Sequence, residues 1–223
     1  EDEQQITIQG DFASTKLDLD QLLSQDQEGS SSKGAESNYN FKFSPLLKFD
    51  LLCNVDEVNF RRLNNKDALT DIKGELTLVN QIFNYKNLSF NLAGGSFQNN
   101  GQINGQRLDH IIVKNESTIS KIDVKKIFYV FEDFNQSFVS SQNIKGKMSG
   151  KYNFSLLFDS KLRLNYEAIQ VNTELKVIQG ELSNFPPLME MRKYLKKKKY
   201  QKYVQNANLR QVAFPILESK IWI

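Results

Sequence analysis

Apolar and polar residues alternate with a period of two from Asn143 to Asp159, in NIKGKMSGKYNFSLLFD. A helix cannot separate residues in this way, whereas successive side chains of a strand point to opposite faces of a sheet. The stretch therefore predicts a strand of about fifteen residues, where five or six is usual. Its apolar and glycine positions are Ile144, Gly146, Met148, Gly150, Tyr152, Phe154, Leu156 and Phe158. Such a strand is typical of a wide sheet with one apolar and one polar face, or of a long hairpin arm in an ordinary sandwich.

Shorter stretches repeat the same alternation along most of the chain, and Val58 and Phe60 resume it on a shifted register. The apolar positions of these stretches are Phe49, Leu51, Cys53, Val55, Ile72, Leu76, Leu78, Leu88, Phe90, Leu92, Phe97, Ile103, Ile111, Val113, Leu175, Val177 and Leu182. Turn-forming pairs stand between them, namely Asn64-Asn65, Gly94-Gly95, Asn100-Gly101 and Asn104-Gly105. Because no helical crossover separates the strands, the pattern favours an antiparallel meander.

Three stretches depart from this alternation and predict short helices. Val124, Ile127, Phe128, Phe131 and Phe134 recur at helical spacing after Asp123, a suitable N-cap. Pro186 and Pro187 suit the first turn of a second helix, which we expect from Leu188 to about Tyr203. Near the start, Gln4 to Phe12 reads as a strand, after which Ser14 or Thr15 is predicted to cap a helix with Asp18 and Asp20 in its first turn.

These elements predict a mainly β domain, a long twisted antiparallel sheet curled into an apolar-lined groove with two or three short helices. We expect residues 1–24 to form a leading strand and short helix. Residues 25–40, rich in Ser, Gly, Gln and Glu, are expected to be a flexible loop. Residues 41–223 would form the sheet, with helices near 123–134 and 187–203. The chain begins without a methionine, directly before a strand-like segment, so we expect a fragment of a longer protein.

Composition limits the chemistry that this chain offers. Its 223 residues are 39% hydrophobic, which predicts a thin core, and its net charge of +3 is too small to indicate nucleic-acid binding. With the single cysteine Cys53 and the single histidine His110, a His/Cys zinc site is excluded and no internal disulfide can form. Neither a nucleophile elbow nor a phosphate-binding glycine motif occurs. We therefore expect no enzyme activity, no cofactor and no metal.

A basic segment from Met191 to Leu217 contains no aspartate or glutamate. It has three tyrosines among its lysines, which suits a membrane interface better than a nucleic acid. The simplest alternative is a solvated helix face. The residues predicted to contact lipid headgroups are Arg192, Lys193, Lys196, Lys197, Lys198, Lys199 and Lys202.

The strands supply more apolar surface than two or three short helices can cover, and exposed apolar surface of this size indicates a binding face. A lipid or a partner protein could cover it. The residues predicted to line this face are Leu76, Leu78, Leu88, Phe90, Leu92, Met148, Tyr152, Phe154 and Leu156. Gly146 and Gly150 are expected where the sheet bends or where another group packs closely.

Three blocks, LSFNLAGGSFQNNG, GKMSGKYNF and GELSNFPPL, resemble the C-terminal region of AsmA-like bacterial envelope proteins, in a Bacteroidota-like version. The resemblance extends from about Asp11 to the end of the chain. It implies an inner-membrane anchor outside this chain, a periplasmic β-groove related to bridge-like lipid-transfer proteins, and phospholipid handling between the inner and outer membranes in outer-membrane biogenesis. Envelope proteins would be possible partners. The alternative function is a structural or adhesive β-domain whose apolar face docks on a partner protein.

Overall fold

The computed structural model describes residues 4–19, 42–59, 67–195 and 209–222, and of residues 192–195 it describes the backbone alone. Its strands form one open sheet in which each strand lies beside its neighbours in the sequence. They are β1 (Ile6–Asp18), β2 (Leu47–Asn59), β3 (Leu69–Val79), β4 (Ile82–Leu92), β5 (Gly95–Asn104), β6 (Ile111–Asp123), β7 (Ile144–Phe158), β8 (Gln170–Ser183) and β9 (Gln211–Trp222). The helices are α1 (Val124–Val130) and α2 (Pro186–Leu195), and short 3-10 turns occupy Glu132–Asn135 and Tyr166–Ala168. The predicted mainly β fold is confirmed.

Strand β7 is the long strand that the alternation predicts, with 15 residues. Cross-strand pairs carry its apolar face across the sheet, because directly paired residues share a face. Phe154 pairs with Asn115 of β6, which pairs with Gly101 of β5, and the row continues through Tyr85 of β4 to Leu76 of β3. The predicted register is therefore confirmed.

The lysines of β7 lie on the opposite face, as predicted. Lys147 forms an ion pair of 3.1 Å with Asp123 at the end of β6. Lys151 pairs with Thr118 of β6 and with Glu174 of β8. We call this side of the sheet the polar face and the other side the apolar face.

Strand β1 departs from the predicted antiparallel pattern, since it runs parallel to β2 while all the other strand pairs are antiparallel. A parallel pair needs a connection of a dozen or more residues, and the chain between β1 and β2 is longer than that. β1 also continues to Asp18, so the helix start predicted at Ser14 or Thr15 is wrong. Leu19, directly after β1, has a helical conformation. Asp20 and the remainder of the predicted helix lie outside the described residues.

The turns follow the predicted chemistry in part. The β4–β5 turn places Ala93 and Gly94 at positive φ, as a two-residue hairpin turn requires, and β5 ends at Asn104 before Gly105. Asn100-Gly101, in contrast, lies inside β5 and is not a turn. A Cβ at position 101 would overlap the Tyr85 hydroxyl, so this glycine makes room for the ring across the ladder. The Asn64-Asn65 pair lies outside the described residues.

Helix α1 begins where predicted. The Asp123 carboxylate accepts a hydrogen bond of 3.0 Å from the Lys126 backbone N–H and so caps the helix. The helix is shorter than predicted, because positive φ angles from Glu132 to Asn135 interrupt the helical path after Val130. Phe131 and Phe134, predicted to lie on its apolar side, are consequently exposed.

The core lies on the apolar face and has two parts. The first joins α1 to the sheet, with Leu92, Ala93, Ile119, Ile122, Ile127 and Val130 as its buried residues. The second lies across β2 and β3, with Cys53, Val55, Val58 and Ile72. The alternation of β2 shifts by one residue between Val55 and Val58, and both side chains are buried, as predicted for Val58. Phe60 lies outside the described residues.

Helix α2 begins at Pro186, as the two prolines predict. Its described part ends at Leu195, so the predicted continuation to Tyr203 lies outside the described residues, as does the loop predicted at 25–40. Among the described elements α1 packs across β6 and β7, and α2 shows no comparable packing on the sheet.

Candidate functional site

All nine predicted lining residues share the apolar face. Their burial nevertheless divides them. Leu78 and Leu92 are buried, with 1% and 4% of their surface exposed, so they belong to the core. Phe90, Met148 and Tyr152 are partly buried against the core cluster beneath α1, and Leu76 and Leu88 pack on the cluster of β2 and β3. The remaining two, Phe154 and Leu156, are half-buried outside both described clusters.

The apolar face is covered at two places and open between them. α1 lies over β6 and β7 through Ile127 and Val130. At the opposite end of the strands, Phe43 contacts Phe83 with ring centroids 6.1 Å apart, and the Gln81 amide donates to the Phe43 carbonyl. Between these covers, no described helix packs on the face. The open part contains a row of paired residues next to Phe83, namely Ile103, Val113 and Leu156, all half-buried.

A buried polar cluster interrupts this apolar face near its centre. Ser117 donates a hydrogen bond of 2.7 Å to the Asn99 amide oxygen, and the Asn99 amide donates to the Leu88 carbonyl. The Tyr85 hydroxyl donates to the Asn115 amide oxygen at 2.9 Å. These groups lie at inward positions of β4, β5 and β6, so their hydrogen bonds offset the cost of burying them.

Two tyrosines border this polar cluster. Burial raises the pKa of Tyr85 to about 12, with a smaller contribution from the nearby Tyr152. The pKa of Tyr152 is also raised, because the effect of burial exceeds the opposite effect of its hydrogen bond with Ser117. Both hydroxyls are therefore neutral at physiological pH, and the cluster places dipoles rather than charges on the apolar face.

Exposed aromatic side chains lie in the last turn of α1 and just after it. Tyr129, Phe131, Phe134 and Phe138 all point to solvent, and the Phe131 and Phe134 rings stack with centroids 5.6 Å apart. Phe138 meets Phe185, the residue before α2, with ring centroids 5.2 Å apart. Exposed aromatic rings in such number suit contact with a membrane interface or a partner protein.

The predicted headgroup-contact residues cannot be placed around these rings. Only the backbone of Arg192 and Lys193 is described, at the end of α2. Lys196, Lys197, Lys198, Lys199 and Lys202 lie outside the described residues.

The single histidine and the single cysteine occupy ordinary structural positions. His110 lies exposed before β6, with Nδ1 2.8 Å from the Asp109 carboxylate. Cys53 is buried in the β2–β3 core cluster, and burial raises the pKa of its thiol. In the described ranges no group of acidic, histidine and cysteine side chains could hold a metal ion, and neither α1 nor α2 is long enough to cross a membrane.

The polar face carries a groove that the sequence pattern does not reveal. Its largest part has a volume of about 910 Å³ and spans β4 to β9, with the turn at Glu167–Ile169 along one side. A second part of about 540 Å³ adjoins it and shares Asn100, Glu116, Asn153 and Asn172. A third part of about 320 Å³ continues from Glu174 toward β9. We call these three connected depressions the polar groove.

Comparison of the chain with protein-family models, with characterised proteins and with solved structures finds no match.

Sequence reasoning identified the apolar face but missed the two polar features of the sheet. Asn99, Asn115 and Ser117 occupy apolar-face positions of the alternation, so polar residues at inward positions were the available signal for the buried cluster. The polar groove had no such signal, because asparagine, glutamine and serine are ordinary residues for a solvated sheet face.

Proposed function

We propose that this chain is a non-enzymatic, lipid-handling β-sheet domain whose open apolar face holds the acyl chains of a phospholipid. The open strip between α1 and Phe43 is the observation that supports the proposal. The sequence blocks that resemble AsmA-like envelope proteins support it as well, and suggest the periplasmic side of the inner membrane as its location.

The energetics favour an occupant for this strip. Its half-buried residues Ile103, Val113 and Leu156 leave part of each side chain in water. Burial of apolar surface contributes roughly 25 cal/mol per Å², or about 0.8 kcal/mol per methylene of a bound chain. An acyl chain can take up this stabilisation without directional contacts, so the site would accept lipids of varied chain composition.

The polar cluster and the exposed aromatic rings suggest how a lipid would be oriented. The neutral hydroxyls of the half-buried Tyr85 and Tyr152 lie within the face rather than at its rim, so they suit the ester region of a lipid better than its charged phosphate. Tyr129 and Phe134, near the end of α1, would approach the membrane interface.

The second candidate function is docking of a partner protein on the same apolar face. The exposed side chains of Ile6, Ile8 and Phe12 on β1 favour it, because they extend the apolar face to a strand edge that no other described strand pairs with. Such an edge can accept a further strand from a partner.

Lipid extraction from the purified chain, followed by mass spectrometry, tests the proposal. We expect co-purified phospholipid in the wild type and its loss in Phe154→Asp, which places a charge on the open strip. Ser155→Asp is the matched control, because it adds the same group to the adjacent residue on the polar face. Circular dichroism establishes that both variants are folded, and Leu156→Asp provides a second position on the strip.

Retention of lipid by folded Phe154→Asp and Leu156→Asp, or its absence from the wild type, would contradict the acyl-chain site and favour protein docking. Replacement of Lys196 to Lys199 by glutamine should separately weaken binding to vesicles that contain phosphatidylglycerol, most strongly at low salt.

A further inference from the structure

We propose that the polar groove is a carbohydrate-binding site for a neutral oligosaccharide, formed by amide and hydroxyl side chains of β4–β8 and by Trp222 at its end on β9. This site lies on the face opposite the proposed acyl-chain strip. It does not depend on lipid binding, and each can exist without the other.

The strand register arranges the groove residues in straight rows across the sheet. One row runs through the paired residues Asn84, Gln102, Lys114, Ser155 and Gln170. The next row runs through Asn100, Glu116, Asn153, Asn172 and Trp222. Neighbouring strands are about 4.8 Å apart, so each row presents polar groups at regular intervals to a ligand lying across the strands.

Most amides of these rows are available to a ligand. Within the described residues, the side chains of Gln102, Asn153, Gln170 and Asn172 form no hydrogen bond with the protein, whereas Asn100 accepts one from the Asn87 backbone N–H at 2.8 Å. A primary amide offers two donors and one acceptor oxygen. Sugar hydroxyls are likewise donors and acceptors at once, so rows of free amides complement them.

The charges of the groove select among ligand classes. Its two larger parts are lined by two lysines, Lys114 and Lys151, and by three glutamates, Glu116, Glu167 and Glu174. A nucleic acid requires a clear excess of positive charge, which this groove lacks. An acyl chain would bury the free amides of the groove without hydrogen-bond partners, which is costly. A neutral polyhydroxylated ligand needs no excess of charge and can form hydrogen bonds with these amides.

Trp222, at the end of the second row, adds an aromatic surface to the amide side chains. It pairs with Asn172, lines the largest part of the groove and is 69% exposed. An indole ring presents a flat apolar face beside a polar N–H. The C–H face of a sugar ring can stack on it while the ring hydroxyls reach the amides of Asn153 and Asn172.

The experiment uses the tryptophan as its reporter, since Trp222 is the single tryptophan of the chain. An array of neutral and acidic oligosaccharides, including cellohexaose, maltohexaose and chitohexaose, identifies a binding probe. Fluorescence titration with that probe should change the Trp222 emission. We expect Asn172→Ala to weaken binding by about fivefold to tenfold, the usual loss for one or two hydrogen bonds.

Asn54→Ala is the matched control, because Asn54 is an exposed asparagine on the polar face of β2, outside the groove. It should bind the probe like the wild type. Trp222→Ala, measured by calorimetry, should abolish binding, and Trp222→Phe should restore part of it. Absence of a neutral oligosaccharide that binds, equal weakening by Asn172→Ala and Asn54→Ala, or preference for heparin or oligothymidylate would overturn the proposal.

Discussion

At the scale of single residues, two glycines adopt the backbone conformations that keep β7 continuous over its 15 residues. Gly146 and Gly150 both have positive φ, at 140° and 155°, in a region that other residues rarely adopt. The ladder between β7 and β8 shifts register next to Gly146. At Gly150, a Cβ would overlap the Glu174 carbonyl oxygen of β8. Both glycines therefore lie where the sheet bends or packs closely, as the sequence predicted.

Gly150→Ala should lower the free energy of unfolding by about 1–3 kcal/mol, because the added methyl has no room against β8. Urea denaturation followed by circular dichroism measures the change. Gly10→Ala is the matched control, since Gly10 has a similar φ of 148° but nothing within 4 Å of an added Cβ. Equal losses in both variants would attribute the effect to backbone conformation and not to contact with Glu174.

The buried Ser117–Asn99 hydrogen bond should show how much the polar cluster contributes to stability. Ser117→Ala leaves the Asn99 amide oxygen without its donor, which should cost about 1–3 kcal/mol. The double variant Ser117→Ala/Asn99→Leu, which removes both partners, should recover part of this loss. A double variant that is less stable than the sum of its two single variants would contradict this account.

At the scale of elements, α1 shows how a short helix is stabilised by its cap and by the sheet beneath it. It has only seven residues and would not persist alone in water. Burial raises the pKa of Asp123, but hydrogen bonds from the Lys126 backbone and from Lys147 outweigh this effect and lower it overall. Asp123 is thus ionised at neutral pH and both caps the helix and pairs with β7.

Asp123→Ala should destabilise α1 by about 1 kcal/mol, through loss of the cap. Hydrogen exchange measured by NMR should become faster for the α1 amides of this variant than for those of the wild type. Exchange of the β5 amides should stay unchanged. Asp123→Asn is the control, because it removes the charge paired with Lys147 but keeps an oxygen that can accept from the Lys126 N–H. Equal exchange in the two variants would mean that the ion pair, and not the cap, holds the helix.

Glu181 connects three strands and should make stability depend on pH. It accepts hydrogen bonds from Ser183, from Gln211 of β9 and from Lys145 of β7, which lower its pKa to about 2. Because this pKa lies below the usual value of 4.5, the stabilisation of the folded protein by ionised Glu181 is fully present above pH 4.5. It is lost as the pH falls from there toward about 2.

Glu181→Gln should therefore unfold in acid with a weaker dependence on pH between about 4.5 and 2 than the wild type. Acid titration followed by circular dichroism, at low and high salt, measures the slope. Glu116→Gln is a control on the same face, since its carboxylate lacks these hydrogen bonds among the described residues. An unchanged slope in Glu181→Gln would show that another group governs acid unfolding.

At the scale of the whole molecule, the linear strand order gives the sheet two unlike edges. Among the described strands, β1 is bonded to β2 alone, and its side chains from Ile6 to Ala13 are exposed. In the same described set β9 is bonded to β8 alone, and it carries Pro215 in its exposed middle, a common feature of edge strands. The buried core lies between these edges.

The amides of β1 and β9 should therefore exchange with deuterium faster than those of β5 and β6, since edge strands open at lower free energy than central ones. Hydrogen exchange with mass-spectrometric detection tests this in the wild type. Protection of β1 equal to that of β6 would indicate that the β1 edge is paired with another molecule.

The sequence alone determined the two-faced strands, the length of β7, the special positions of its glycines, the cap of α1 and the proline start of α2. These features depend on local periodicity and on the conformational preferences of individual residues, which are independent of distant contacts. The same local rules were wrong where one residue pair is compatible both with a turn and with the interior of a strand. Asn100-Gly101 has the composition of a turn, yet inside β5 its asparagine accepts a hydrogen bond from the irregular part of β4 and its glycine makes room for the Tyr85 ring.

Only the tertiary structure decided the parallel direction of β1, the burial of Leu78 and Leu92, and the polar groove. The direction of β1 depends on how a long connection returns, which no local pattern specifies. Burial depends on what lies above a side chain, as Phe43 lies over Phe83 beside Leu78. The groove depends on the alignment of six strands, because Asn100, Asn153, Asn172 and Trp222 become neighbours only through the register of the sheet.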